Sequence, residues 1–187
     1  MKNNYSKYRD VDLIKMISSK KPEGESAFSE LYDRYAVKLR SFCNYMVQSS
    51  ANVEDIFQET FIFFYTNVRA GKEVSNAIGY LISIARNLCL KYYRDKKTNV
   101  PFDVDSLVID ESRELEKNEL LDLVVKTLPL LESKYREAII MREFEGLSYP
   151  EISEICQTSV SNAKSRVFRA HKQIIKILEP YLKDLAK

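Results

Sequence analysis

Residues 159–178 carry side chains suited to contact with a polyanion, because this segment contains no aspartate or glutamate. Its apolar residues recur at steps of three and four, which predicts a helix with one buried face: Val160, Ala163, Val167, Ala170, Ile174 and Leu178. The other side carries amide, hydroxyl and cationic groups: Asn162, Lys164, Ser165, Arg166, Arg169, Lys172 and Lys176. Cations neutralise phosphates, and Asn, Ser and Arg can pair with base edges. The pattern therefore predicts a helix that lies in the major groove of DNA.

A second, shorter helix precedes this one. Ser148 and Glu151 have the spacing of a capping box, and Pro150 stands in the first turn, where its missing N–H costs least. The polar residues 157–159 then interrupt the helical pattern. Together the two segments predict a helix-turn-helix. A solvent-exposed amphipathic helix is the simpler alternative, but the single sign of charge argues against it.

The rest of the chain predicts an all-α fold. Only four Gly and five Pro occur among 187 residues, and 45% of the residues are hydrophobic. The net charge of +2 is small, but basic residues cluster in 86–97 and 159–178, on either side of the acidic segment 103–119. We therefore expect two small helical domains, residues 1–97 and residues 116–187, joined by a flexible acidic linker at 98–115. The C-terminal domain contains the helix-turn-helix.

In the N-terminal domain we expect Asp10 to cap a first helix and Asn52 to cap a third, which ends before Gly71. The third helix carries an acidic patch near its start, which the helix dipole alone could explain: Glu54, Asp55, Gln58 and Glu59. The fourth helix presents cations and an amide opposite its apolar stripe: Arg86, Asn87, Lys91 and Arg94. With Tyr80 and Tyr93 nearby, that face suits single-stranded DNA, although tyrosine is equally an ordinary boundary residue.

Other classes of function find little support. Cys43, Cys89 and Cys156 are odd in number and far apart, so we expect reduced thiols and no metal site. The single histidine, His171, lies in the basic segment, and no nucleophile–base spacing or phosphate-binding glycine loop occurs. We therefore expect neither an enzyme nor a cofactor. With no signal peptide and no membrane-spanning stretch, we expect a cytoplasmic protein that is not itself membrane-embedded.

The order of several segments resembles a known family. DLIKMI, AFSELYDRY, VEDIFQETF and GYLISIARNLCLKYYR are followed by YREAIIMREFEGLSYPEISEI and NAKSRVFRA. This arrangement, over about residues 10–178, resembles the extracytoplasmic-function (ECF) sigma factors. These are bacterial RNA polymerase subunits that select promoters and initiate transcription. The resemblance implies core RNA polymerase and promoter DNA as partners, together with an anti-sigma factor.

The resemblance also implies roles for individual residues. Asp55, Gln58 and Glu59 would bind the clamp of core polymerase, and the C-terminal domain would lie on its flap. The loop at residues 71–75 would hold a base flipped out of the minus-ten element. Contacts to that element are expected from Arg86, Asn87, Lys91 and Arg94. Contacts to the minus-thirty-five element are expected from Asn162, Lys164, Ser165, Arg166, Phe168 and Arg169.

Three residues depart from the family pattern. Gln157 replaces the usual turn glycine, which predicts either a different turn or backbone strain. Ala163 stands in place of valine, and Tyr80 in place of tryptophan. A stand-alone helix-turn-helix regulator, with the N-terminal domain used for dimerisation, remains the alternative. The acidic patch around Asp55 distinguishes the two, because a repressor has no need of it.

Overall fold

The computed structural model describes residues 5–19, 22–47, 50–97 and 119–185. In these residues every regular element is a helix, as the composition predicted. The chain divides into two compact units, Met1–Phe102 (unit 1) and Asp103–Lys187 (unit 2). The predicted linker at 98–115 lies outside the described residues, so its acidic, flexible character stays a prediction.

The described residues of unit 1 form four α-helices, of which α2, α3 and α4 pack against one another while α1 packs on α2 and α3. Their bounds are α1 Asp10–Ser18, α2 Glu23–Val47, α3 Ser50–Arg69 and α4 Ala77–Lys97, with a 3-10 turn at Tyr5–Lys7. The core is aliphatic and aromatic and includes Leu13, Leu31, Phe42, Phe57, Phe64 and Leu81. Gly71 has a φ of +96°, which suits its predicted place just beyond the end of α3.

Two predicted helix caps in unit 1 are wrong. Asp10 is the first residue of α1, and its carboxylate accepts hydrogen bonds from the Arg34 guanidinium (2.8 Å) and the Tyr35 hydroxyl of α2. Asn52 lies inside α3, and its amide nitrogen donates to the Tyr92 hydroxyl of α4 at 3.3 Å. Both side chains therefore join two helices, because a partner on a neighbouring helix was within reach.

The part of unit 2 that the structure describes forms four further α-helices, and α5, α6 and α7 all pack on α8. The bounds are α5 Glu119–Thr127, α6 Ser133–Ile139, α7 Tyr149–Ile155 and α8 Val160–Leu185. A 3-10 turn at Leu128–Leu130 follows α5, and a π-helical turn at Ile140–Phe144 extends α6. The buried stripe of α8 is Ala163, Val167, Ala170, Ile174 and Leu178, as predicted, although Val160 is exposed.

In the part of the chain that the structure describes, no helix is both long and apolar enough to cross a membrane. Nor do the described residues bring three or more potential metal ligands together. All three cysteines are buried.

Candidate functional site

The helix-turn-helix of unit 2 is built by local capping. The Ser148 hydroxyl accepts from the Glu151 amide, and the Glu151 carboxylate accepts from the Ser148 amide at 2.7 Å, which forms the predicted capping box at the start of α7. The turn after α7 keeps a left-handed residue, since Gln157 has a φ of +50°. Gln157 therefore adopts, at a cost in backbone strain, a conformation that glycine adopts more readily.

Hydrogen bonds also fix the first turn of α8. The Ser159 hydroxyl accepts from the backbone amide of Asn162 at 3.1 Å. The Asn162 side-chain amide donates to the Thr158 hydroxyl at 2.7 Å. Asn162 is thus held against the turn and remains exposed.

The polar residues of α8 form two strips along its exposed side, because residues three or four apart share a face. The first strip consists of Asn162, Ser165, Arg166 and Arg169, and it lines a cavity of about 220 Å³ together with residues of α6. Its lining residues are Lys134, Tyr135, Asn162, Ser165, Arg166 and Arg169. The second strip carries Lys164, whose ammonium lies 5.7 Å from the centre of the Tyr149 ring, and Phe168, which is 59% exposed. Four of the six predicted minus-thirty-five residues therefore lie together, and the other two lie on the adjoining strip.

The two arginines of the first strip have different surroundings. Arg166 forms an ion pair with Glu137 of α6 at 3.3 Å, with the two side chains only 19% and 3% exposed. Arg169 is exposed and donates to the Tyr135 hydroxyl at 3.2 Å. This guanidinium lowers the pKa of Tyr135, and the hydroxyl in turn raises the pKa of Arg169.

Lys134 and Tyr135 were not among the residues predicted for the site. Tyr135 is a buried residue of α6. The sequence offered only a general hint of its role, because the hydroxyl of a buried tyrosine usually has a hydrogen-bond partner. The identity of that partner required the packing of α6 on α8.

The outward face of α4 in unit 1 carries the predicted minus-ten residues. Asn87, Lys91 and Arg94 are exposed and follow one another at helical spacing, whereas Arg86 is half-buried. Both boundary tyrosines hold the helices together: Tyr80 accepts from the Asn67 amide of α3 at 3.0 Å, and Tyr93 donates to the Met46 carbonyl of α2 at 2.6 Å.

The acidic patch of α3 is only partly available to a partner. Glu54 forms an ion pair with Arg40 of α2 and accepts a hydrogen bond from Gln58 at 2.9 Å. The hydrogen bond from Arg40, and then the one from Gln58, lower the pKa of the Glu54 carboxyl. Asp55 and Gln58 are exposed and Glu59 is half-exposed. Ile62, one turn further on, is 63% exposed and extends the same face with apolar surface that the sequence prediction missed.

Comparison with known proteins places both units in one family. Residues 31–98 match sigma-70 region 2, and residues 121–174 match sigma-70 region 4. SigZ, an RNA polymerase sigma factor of Bacillus subtilis, is 30% identical over 152 residues, which are 80% of this chain and 86% of SigZ. The ECF sigma-E factor of Escherichia coli is 30% identical over 173 residues, covering 85% of this chain and 90% of the relative. The chain belongs to the ECF sigma factors.

The fold of this ECF sigma factor also matches a solved relative. The sigma factor RpoE of Bartonella quintana, in complex with the anti-sigma factor NepR, superposes with a TM-score of 0.71 at 25% identity, covering 81% of this chain and 96% of RpoE. Region 2 contains α3 and α4, and region 4 contains the helix-turn-helix. The protein is therefore a sigma subunit of RNA polymerase, which confirms the resemblance read from the sequence.

Proposed function

We propose that the two units divide promoter recognition and polymerase binding between three helices. In this proposal α3 binds core polymerase, α4 holds the minus-ten element, and α8 reads the minus-thirty-five element. The observation that carries the proposal is the charge of the exposed surfaces. The outward face of α3 presents carboxylates, whereas α4 and α8 present cations.

Clamp binding is assigned to Asp55, Gln58 and Glu59. Because Arg40 already pairs with Glu54, the negative charge left for a partner is that of Asp55 and Glu59. These residues project from a helix whose other face is buried over its whole length, so the carboxylates are held on a rigid element. A basic or amide-rich helix of the clamp would complement them.

The minus-ten element is assigned to Arg86, Asn87, Lys91 and Arg94. The exposed cations follow the axis of α4, so they can contact successive phosphates of one strand. Asn87 offers an amide that can donate to and accept from a base edge. The loop at residues 71–75 would receive a flipped base. Trapping a base that has already left the stack lets binding energy drive strand opening.

The minus-thirty-five element is assigned to Asn162, Lys164, Ser165, Arg166, Phe168 and Arg169. Lys164 and Phe168 occupy an exposed strip of α8, where an aromatic ring can contact a thymine methyl group. Arg166, in its ion pair with Glu137, would act mainly by holding α8 against α6. The other residues lie where the helix would face the groove.

Two further partners follow from the same assignment. The remaining surface of unit 2 would lie on the polymerase flap. Because RNA polymerase is found in the cytoplasm, the protein would act there. An anti-sigma factor is proposed as the inhibitor, supported by the complex of the similar Bartonella quintana RpoE with NepR.

The test is a charge reversal on α3. The double variant Asp55→Arg, Glu59→Arg should lose at least ~100-fold in affinity for core polymerase, since facing like charges cost several kcal/mol. The matched control, Glu25→Arg with Asp33→Arg, reverses two exposed carboxylates on α2 and should bind normally. Affinity is measured by titrating labelled sigma with core polymerase, and circular dichroism checks the fold.

Transcription from a promoter library by the wild-type holoenzyme then identifies both promoter elements. Unchanged affinity of the α3 variant would remove the clamp assignment. DNA binding by a protein that has no affinity for core polymerase would instead favour a stand-alone regulator.

A further inference from the structure

A cleft in unit 2 separates the start of α6 from one flank of α8. Its volume of about 220 Å³ equals that of roughly seven water molecules, which is room enough for a phosphate group. Side chains of α6 and α8 line it on opposite sides: Lys134 and Tyr135 from α6, and Asn162, Ser165, Arg166 and Arg169 from α8. The lining is therefore rich in hydrogen-bond donors and carries three cations.

The three cations differ in how far their charge is already neutralised. Arg166 has a nearly buried carboxylate partner in Glu137. Lys134 lies 2.7 Å from Glu132, but both side chains are at least half exposed, so that pair is weak and easily exchanged. Arg169 donates to a phenol, which carries no charge in its ordinary state. Arg169 and Lys134 are consequently the cations that can serve an incoming anion.

Tyr135 gives Arg169 a defined position. Tyr135 as a whole is only 6% exposed, so the hydroxyl that accepts from Arg169 Nη1 is fixed by the packing of α6. Lys134 is held close by, with its ammonium 4.8 Å from the centre of the same ring. An arginine held in one geometry loses less conformational entropy when it binds, and its remaining N–H groups match the oxygens of a phosphate.

The cleft suits a phosphate better than a base edge. It lies on the flank of α8, and its amide-bearing residue, Asn162, already donates to Thr158. Contacts to phosphates, commonly from arginine and lysine, fix the register of a protein on the DNA backbone, whereas sequence is read by contacts to base edges in the grooves. The carboxylate of Glu137 is occupied by Arg166 and so does not repel an anion as a free carboxylate would.

We propose that this cleft binds one phosphodiester group of the DNA backbone beside the upstream promoter element. Arg169 and Lys134 bind the phosphate oxygens, and Tyr135 positions Arg169. The proposal rests on the proposed recognition of upstream DNA by unit 2. It adds Lys134 and Tyr135 to that site and assigns Arg169 to the backbone.

The first experiment measures the salt dependence of holoenzyme binding to a DNA fragment that the wild-type holoenzyme selects from a random library. Removing both cations should reduce the slope of log K against log salt by about 0.9, the value for one neutralised phosphate. Lys134→Ala and Arg169→Ala alone should each reduce it by part of that amount. Both should weaken all library sequences by the same factor. Tyr135→Phe, which keeps the ring, should also weaken binding without changing sequence preference. Lys126→Ala, which removes an exposed lysine of α5, is the matched control and should leave the slope unchanged.

The second experiment replaces single phosphates of that fragment with neutral methylphosphonates. One position should weaken wild-type binding but have little further effect on the Arg169→Ala variant, because the contact is already lost. Thermal unfolding confirms that each variant is folded.

Three results would overturn the proposal. One is a changed preference at a single base pair with an unchanged salt slope in Arg169→Ala, because Arg169 would then read a base. The second is full additivity of Arg169→Ala with every methylphosphonate, and the third is wild-type affinity of Tyr135→Phe. If the wild-type holoenzyme selected no upstream sequence at all, the proposed function would fail together with the cleft. If the wild-type holoenzyme selects an upstream sequence and the cleft variants bind it with wild-type affinity, only the proposed role of the cleft fails.

Discussion

The ion pair between Glu137 and Arg166 should determine how firmly α8 is held against α6. Glu137→Ala leaves the Arg166 guanidinium in a largely buried position without its carboxylate. The Cys156 thiol, 3.8 Å from the same Glu137 oxygen, also loses its acceptor. We expect this single change to destabilise unit 2 strongly while leaving unit 1 unaffected.

The magnitude follows from burial. Removing one partner of a fully buried pair costs about 3–5 kcal/mol, and the 19% exposure of Arg166 places this case at the lower end, near 3 kcal/mol. For a domain of this size each kcal/mol lowers Tm by about 4–8 °C, so the shift should be about 12–24 °C. Replacing both partners by apolar residues, in Glu137→Leu with Arg166→Met, should recover most of this loss, because neither charge of this pair is then left buried alone.

Differential scanning calorimetry of the full chain is the appropriate assay, since two units need not unfold in a single transition. Hydrogen exchange on peptides of α3 and α8 assigns each transition to its unit. A shift below about 4 °C, one kcal/mol by the same conversion, would refute the reasoning. So would additive losses in the double variant, because the cycle would then show no coupling between the two side chains.

Two further outcomes are expected. Ser148→Ala removes the hydroxyl of the capping box and should lower the stability of unit 2 by about 1 kcal/mol. The control, Ser161→Ala, changes an exposed position in α8 and should be neutral or slightly stabilising. Equal Tm values for the two variants in calorimetry would contradict the capping argument. Burial, and then the Asp10 carboxylate, raise the pKa of Tyr35. Above about pH 10 the unfolded chain therefore releases a proton that the folded chain keeps. As a result, the stability of unit 1 should fall as pH rises. Tyr35→Phe should flatten this alkaline decline in unfolding measurements between pH 9 and 11, and an unchanged slope would assign the decline to other groups.

Local patterns in the sequence were sufficient for much of the fold. The apolar spacing of residues 159–178 predicted a buried stripe of six residues, and the structure buries five of them: Ala163, Val167, Ala170, Ile174 and Leu178. The capping box at Ser148 was equally predictable, because both of its partners lie within one helical turn. Family membership, read from the order of the motifs, is confirmed by the matches to sigma-70 regions 2 and 4.

The surroundings of individual polar residues were not predictable in this way. Asp10 and Asn52 were expected to cap their helices, yet their partners lie 24 to 40 residues away on neighbouring helices. Helical periodicity gives the angle at which a side chain leaves its helix, but it does not give the neighbour that the side chain meets.

The sequence by itself determined the helices, the order of the motifs and the sign of charge on each face, since these depend on residues close together in the chain. Only the tertiary structure decided which cations of α8 remain available. Arg166 meets Glu137 across 29 residues and Arg169 meets Tyr135 across 34. Two arginines that look equivalent on a helical projection thus differ, because the charge of one is offset by a buried carboxylate while the other contacts a phenol at the rim of a cleft.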